Sequence, residues 1–385
     1  MKSIKKPKIL ALLQLPPPIH GASMMNQAVI KSPAITDSFA ITCLPLQFAS
    51  SVGDISSLRL SKFIKVIEIS LRLVKALTTN RYAFVYFTLS PVGFAFYRDL
   101  LFVSILKLFR TKILYHMHGK GIKRNANTSK IKKLLYQFAF KNTFVIVLAP
   151  ILRKDIETVY AGLPFIVNNG ITPLTRPYPS PKTKTKTKTK TKTKTDVIQI
   201  LYLSNLKTNK GILILLESLV MLRNNNLTFK TQIVGNDGEL TSSELKKIIK
   251  KMGLASFVSV LGPKYDTAKN EILNSCDIFC FPTFNDAFPL VLLEAMQFGK
   301  PIVSTFEGAI ADIVNNGETG LLVPQKDCTA LAEALQKLIL DEKLRNMMEN
   351  RALEKFSNQY TLHHFEENIC AVFNNITKKS NTTLQ

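Results

Sequence analysis

The sequence predicts an α/β protein made of two doubly wound parallel sheets. Three observations lead there. Short β-rich apolar runs alternate with helical stretches along the whole 385-residue chain. A low-complexity segment interrupts that alternation near the middle. The chain is also too long for one ordinary domain, and its 46% hydrophobic and 20% charged residues suffice for two cores. With 24 Phe, 10 Tyr and a mean hydropathy of +0.10, disorder is excluded. No run approaches the roughly 20 apolar residues that a membrane-spanning helix needs. The uncharged stretch at residues 82–97 is broken by Pro91 and Gly93.

The first element is an apolar run, residues 9–15, that follows several lysines. A secretory signal is the competing reading of such a start. The run is short, however, and ends in three prolines without a small-residue cleavage site, so it reads as a buried strand. Residues 8–15, 39–46, 82–89, 112–116 and 143–148 are β-rich, separated by helical stretches such as 100–110 and 129–141. Then comes the proline-rich TPLTRPYPSP and seven consecutive Lys-Thr pairs at 182–195. Like charges repel and Thr offers no apolar face, so this segment reads as a flexible linker. A basic tether to phosphate headgroups is the functional alternative. Beyond it, residues 197–203, 229–234, 258–261, 278–281 and 301–304 alternate with helices expected to begin at Gly211, Ser242, Phe288 and Thr329. The expected organisation is therefore a Rossmann-like domain at 1–175, a linker at 176–195, a second Rossmann-like domain at 196–360, and a helix at 361–378 returning toward the first domain. Two such sheets facing each other would place ligands at their carboxyl ends, in an interdomain cleft.

Charge is distributed unevenly. Residues 1–195 hold 32 Lys and Arg against 6 acids, a net of +26, whereas residues 196–385 hold 19 against 21, a net of −2. Two segments concentrate it. In residues 59–77, Arg59, Lys62, Lys65, Arg72 and Lys75 share one helical arc, and Leu60, Phe63, Ile64, Ile67, Leu71, Val74 and Leu77 the opposite one. In residues 120–133 there are six cations and no acid. Each alone is equally a solvated face of a core helix. Together they suggest an anionic membrane surface. Nucleic acid is disfavoured, because no RNP-like motif, zinc-finger spacing or Gly-rich basic tail accompanies the charge. Five scattered Cys, with no His partners near Cys276 and Cys280, exclude a zinc site and suit a reducing cytoplasm.

Three Gly-bearing turns follow strands: PPPIHGAS at 16–23, SNLKTNKG at 204–211 and VGNDGE at 234–239. Glycines there let the backbone approach a phosphate. The absence of G-x-G-x-x-G and Walker sequences disfavours nicotinamide cofactors and P-loop chemistry. In residues 276–305 a buried strand leads to a loop with Asp286 and a helix with Glu294. Two acceptor-only carboxylates flanking free N–H donors suit a ligand that is part polyhydroxyl and part phosphate. Asp286 as a helix cap and Glu294 as a surface residue is the plainer alternative.

Residues 281–305, with Lys210, Gly211, Gly235, Gly238, Gly262 and the later GETGLLVP at 317–324, resemble glycosyltransferase family 4. In the first half the resemblance rests on PPPIHGAS, HMHG and NNGI. It implies the GT-B fold and transfer, by a hexosyltransferase type of enzyme, of a sugar from a nucleotide-diphosphate sugar to a glycan or lipid-linked acceptor, in cell-surface polysaccharide or glycolipid synthesis. The second domain would hold the donor and the basic first domain the acceptor, on the cytoplasmic face of the membrane. Glu294 would accept hydrogen bonds from ribose hydroxyls, and Asp286 would hold hydroxyls of the transferred sugar. Backbone N–H groups of Phe288, Pro289 and Leu290 would meet sugar or diphosphate, Lys210 would neutralise the diphosphate, and Gly235 would let the backbone approach it. Gly21 would let the first-domain loop close on the donor, and His118 would contact the sugar near the reacting carbon. His118, Lys210 and Asp286 are thus the expected catalytic residues.

Two positions depart from the family pattern: Asn205 stands where many relatives carry Arg, with Lys207 a possible substitute, and Asp286 where Glu is usual. No D-x-D occurs, so no metal cofactor is expected and the leaving diphosphate is met by Lys210 and helix dipoles. A sugar-nucleotide epimerase or hydrolase, or a silent sugar-nucleotide-binding partner subunit, are the other classes compatible with these residues.

Overall fold

A computed structural model describes residues 6–48, 60–174 and 197–381. Arg59, the Lys-Thr repeat and the linker expected at 176–195 lie outside the described residues. The chain divides into two compact units: Met1–Gly170 with Leu362–Gln385, and Ile171–Thr361.

Unit 1 is built on strands β1 (Lys8–Leu13), β2 (Ala40–Pro45), β3 (Phe84–Phe87), β4 (Ile113–Met117), β5 (Phe144–Val147) and β6 (Phe165–Ile166), in the order β2-β1-β3-β4-β5-β6. All pairings are parallel, and β1, β3 and β4 are almost wholly buried, as a sheet covered on both faces requires. Crossovers between parallel neighbours are right-handed. This puts the helices Leu60–Thr79, Gly93–Leu108 and Lys130–Phe140 on one face, where they pack in that sequence. The helices Gly21–Lys31 and Pro33–Ser38 occupy the other face, together with the C-terminal helix Leu362–Asn381. That last helix is secured by Phe373, whose ring meets Phe39, Phe84 and Tyr86 with centroids 5.6, 5.1 and 5.2 Å away.

Unit 2 contains β7 (Ile198–Leu203), β8 (Phe229–Val234), β9 (Val258–Gly262), β10 (Ile278–Phe281), β11 (Ile302–Thr305) and β12 (Gly320–Val323), ordered β12-β11-β10-β7-β8-β9 and all parallel. The chain runs outward through β8 and β9, then returns to place β10 against the other side of β7. Strand order therefore reverses between β7 and β10, which is the switch point where open α/β sheets bind ligands.

The short strands β6 and β12 go beyond the expected set. Helix starts also differ from expectation in ways that local chemistry explains. The helix expected at Phe288 begins at Leu290, because a residue before proline avoids the helical region and Pro289 serves as the cap. The helix expected at Thr329 begins at Cys328, where the Asp327 side chain accepts from the Ala330 N–H at 2.9 Å. Gly211, at φ +78°, caps the helix that starts at Ile212.

Truncating Phe373, which is fully buried, should cost about 3–5 kcal/mol. Urea unfolding of Phe373→Ala measures this, and a loss below about 1 kcal/mol would show that the last helix contributes little to unit 1's core.

Candidate functional site

At the switch point of unit 2, the loops after β7 and β10 are stitched together. The backbone carbonyl of Asn209 accepts from the Phe284 N–H at 3.0 Å and from the Thr283 hydroxyl at 3.2 Å. Lys210, at the end of the tight turn Thr208–Lys210, donates through Nζ to Asp286 Oδ2 at 2.6 Å and to the Asn285 carbonyl at 3.0 Å. Both charged side chains keep 20% exposure, so the pair is sheltered yet reachable. Two of the expected site residues thus meet directly.

The Asp286 loop is held from its other side by the turn after β11. Glu307, 4% exposed, accepts the Asp286 N–H at 3.0 Å through Oε1 and the Gln325 side-chain amide at 2.6 Å through Oε2. Gly308 lies so close that a Cβ would stand 2.2 Å from the Asp286 carbonyl, and its φ of +52° also disfavours side chains. The Ala309 N–H then donates to the Ala287 carbonyl at 2.8 Å.

Glu294 projects from the second turn of the helix Leu290–Gln297, and its Oε1 receives the Lys269 ammonium at 2.7 Å. The two side chains are 19% and 27% exposed. Phe288 is buried, its ring 6.2 Å from that of Tyr360. The expectation that Phe288, Pro289 and Leu290 all offer N–H groups is corrected at one position, since proline has no N–H. No side chain caps this helix, and in its first turn the Leu292 N–H donates to the Pro289 carbonyl at 3.2 Å. At Gly235 a Cβ would stand 1.8 Å from the Ser204 carbonyl, so packing against the β7 loop by itself demands glycine. Asn205 accepts from the Asn236 amide at 3.3 Å, and the Tyr265 hydroxyl donates to Asn236 at 2.9 Å, which links the loops after β7, β8 and β9.

In unit 1, Gly21 is the exposed first residue of its helix, directly after the capping residue His20. His118 follows β4. It is partly exposed, but both ring nitrogens are buried without a hydrogen-bond partner. Burial first, then the nearby His20, lowers its pKa to about 3, so the imidazole is neutral. The ring of His116 lies 4.0 Å away, centroid to centroid, and burial followed by His118 holds its pKa well below the usual value. The Tyr86 hydroxyl, kept protonated by burial, shares a hydrogen bond with His116 Nδ1 at 2.5 Å.

Lys269, Glu307, Gln325, His116 and Tyr86 were not among the sequence candidates. A charged residue directly before a glycine just after a strand, as in Phe306-Glu307-Gly308, was the one available signal for Glu307.

Two outcomes follow from this geometry. Glu307→Ala should lower stability by about 1–3 kcal/mol for each buried donor left unpaired, and Glu307→Gln by less, as thermal or urea unfolding will show. His20, His116 and His118 all have lowered pKa values, so the unfolded chain binds more protons than the folded one below the ordinary histidine pKa. The melting temperature should therefore fall as pH drops from about 7.5 to 5.5, and His118→Gln should flatten that slope; an unchanged slope would mean that His118 is protonated in the native state.

Residues 183–355 match the model of the family described as glycosyl transferases group 1. The capsular polysaccharide biosynthesis glycosyltransferase CapM of Staphylococcus aureus is 27% identical over 180 residues, 46% of this chain and 46% of that protein. The chain thus matches less than half the length of that relative. Among solved structures, Anabaena Alr3699/HepE in complex with UDP superposes with a TM-score of 0.72 at 17% identity, covering 96% of this chain and all of that one. A glycosyltransferase from Rickettsia africae gives 0.74 at 17% identity, covering 97% and 99%. These likenesses establish the GT-B fold. The match to the glycosyl transferases group 1 family covers residues 183–355, less than half of the chain.

Proposed function

We propose that this protein is a glycosyltransferase of hexosyltransferase type. It moves a sugar from a nucleotide-diphosphate donor to a glycan or lipid-linked acceptor, in cell-surface polysaccharide or glycolipid synthesis. The observation that carries this is the Lys210–Asp286 pair, set where strand order reverses at the carboxyl ends of β7 and β10. A diphosphate offers Lys210 several anionic oxygens in place of one carboxylate, and Asp286 is then available to sugar hydroxyls. Glu294, steadied by Lys269, suits the vicinal hydroxyls of a ribose. Neutral His118, with two unpartnered ring nitrogens, suits a substrate hydroxyl.

Transfer proceeds with retention. The bond from the anomeric carbon to the diphosphate oxygen breaks, a bond to the acceptor oxygen forms on the same face, and the acceptor proton passes to the departing diphosphate. No protein nucleophile takes part. The growing charge on the diphosphate is met by Lys210 and by the first-turn N–H groups of the helix Leu290–Gln297. The sequence contains no D-x-D, and in this reading the reaction needs no metal. The excess of cations in residues 1–195 supports an acceptor held at an anionic membrane, with the protein peripheral to its cytoplasmic face.

A panel of nucleotide sugars screened by shift in melting temperature identifies the donor, after which turnover is measured with candidate acceptors. Lys210→Ala and Glu294→Ala should each lower kcat/KM by roughly 100-fold or more with the fold intact by circular dichroism. Full turnover in both would remove the donor-site assignment. Donor consumed at the same rate without acceptor would replace transfer by hydrolysis or epimerisation, and donor binding without any turnover would indicate a silent subunit.

A further inference from the structure

A helix packed on a sheet normally buries its apolar arc and turns polar residues outward. The helix Leu60–Thr79 carries more: Ile69 and Leu73 face the core, whereas Phe63, Ile64, Ile67 and Leu71 also stand exposed, one turn apart. The next two helices on this face repeat the pattern. Gly93–Leu108 exposes Phe94, Tyr97, Leu101 and Leu108, and Lys130–Phe140 exposes Ile131, Leu134 and Phe138. These three helices pack side by side, and the Lys107 ammonium lies 5.3 Å from the Phe138 ring centroid, bridging the second and third. Half of the large apolar side chains exposed among the described residues are on these three helices. So many apolar side chains exposed on three adjacent helices mark an interaction site.

The charges on the same helices identify what it meets. Their two acids are both engaged: Glu68 pairs with Arg72 at 2.6 Å, and Asp99 is buried against Arg98 at 2.6 Å. Lys65, Lys75, Lys130 and Lys133 are exposed beside the apolar stripes. A second copy of this face would set cations against cations with no acid to answer them. We propose that the outer face of these three helices docks on an anionic lipid bilayer, its apolar side chains entering the boundary between headgroups and acyl chains and its lysines meeting headgroup phosphates. This gives the membrane reading above, on which it rests, a defined surface, and assigns the grip to apolar insertion as much as to charge.

The chain contains no Trp, so Leu101→Trp carries the sole indole. With vesicles of phosphatidylcholine and phosphatidylglycerol, its emission should shift to the blue and be quenched by lipids brominated on the acyl chain. The full-length triple variant Ile64→Ser, Leu71→Ser, Phe94→Ser should float with such vesicles at least roughly tenfold less than the wild type, with its melting temperature retained. High salt should weaken flotation only in part. An unquenched indole, or a triple variant that floats as the wild type does, overturns the proposal. So does a wild-type dimer that the triple variant abolishes. Turnover with a soluble acceptor, measured in parallel, should be the same in variant and wild type. If no turnover is seen while flotation and quenching hold, the enzymatic reading fails and the docking surface stands.

Discussion

The carboxyl end of the unit 2 sheet depends on one ion pair across adjacent strands. Lys210 and Asp286 leave the sheet on neighbouring strands and close on each other at 2.6 Å. The Lys210 ammonium also takes the Asn285 carbonyl, so the cation holds backbone as well as side chain. Around it, the Asn209 carbonyl binds the β10 loop, and Glu307 and Gly308 press on that loop from the β11 side. The result is a cluster of charged groups on loops whose backbone is fixed by their own hydrogen bonds, the arrangement that the proposed transfer would require. The same pairing keeps a sheltered lysine and a sheltered carboxylate from going uncompensated.

Unit 1 achieves order by a different route. Its carboxyl-end histidines are neutral because they are buried, and His116 is oriented by the Tyr86 hydroxyl. Tyr86 is in turn packed against Phe373, and His116 lies under Phe365 with ring centroids 6.2 Å apart. The last helix of the chain therefore supports the residues that stand behind His118. Its position in sequence, after all of unit 2, conceals that role.

Legibility varied with how local the governing physics is. The strands at 229–234 and 278–281 have the bounds expected of them, because β-branched and aromatic runs end there at residues that stop a strand. The helix at Leu290 was misplaced by two residues because apolar periodicity continues through Phe288, while the proline that sets the true start acts through sterics. Asp286 and Glu294 were singled out from residue type and spacing, and Lys210 from the family resemblance. Lys269 was not, since its partner lies 25 residues away and an isolated lysine on a polar helix carries no signal. In residues 60–79 the period revealed an apolar arc, but a period cannot say which arc the sheet will cover, and Ile69 and Leu73 turned out to be the core contacts.

The sequence by itself determined the alternation of strand and helix, the two-unit organisation, the charge imbalance and the kinds of side chain available to a site. Those follow from backbone propensity, periodicity and composition, which act over a few residues at a time. Only the tertiary structure decided that β10 lies beside β7, and with it that Lys210 faces Asp286, that Glu294 is held by Lys269, and that a buried glutamate clamps the loop between them. Strand order is set by the total burial of many distant segments at once, and no local stretch of sequence carries that sum.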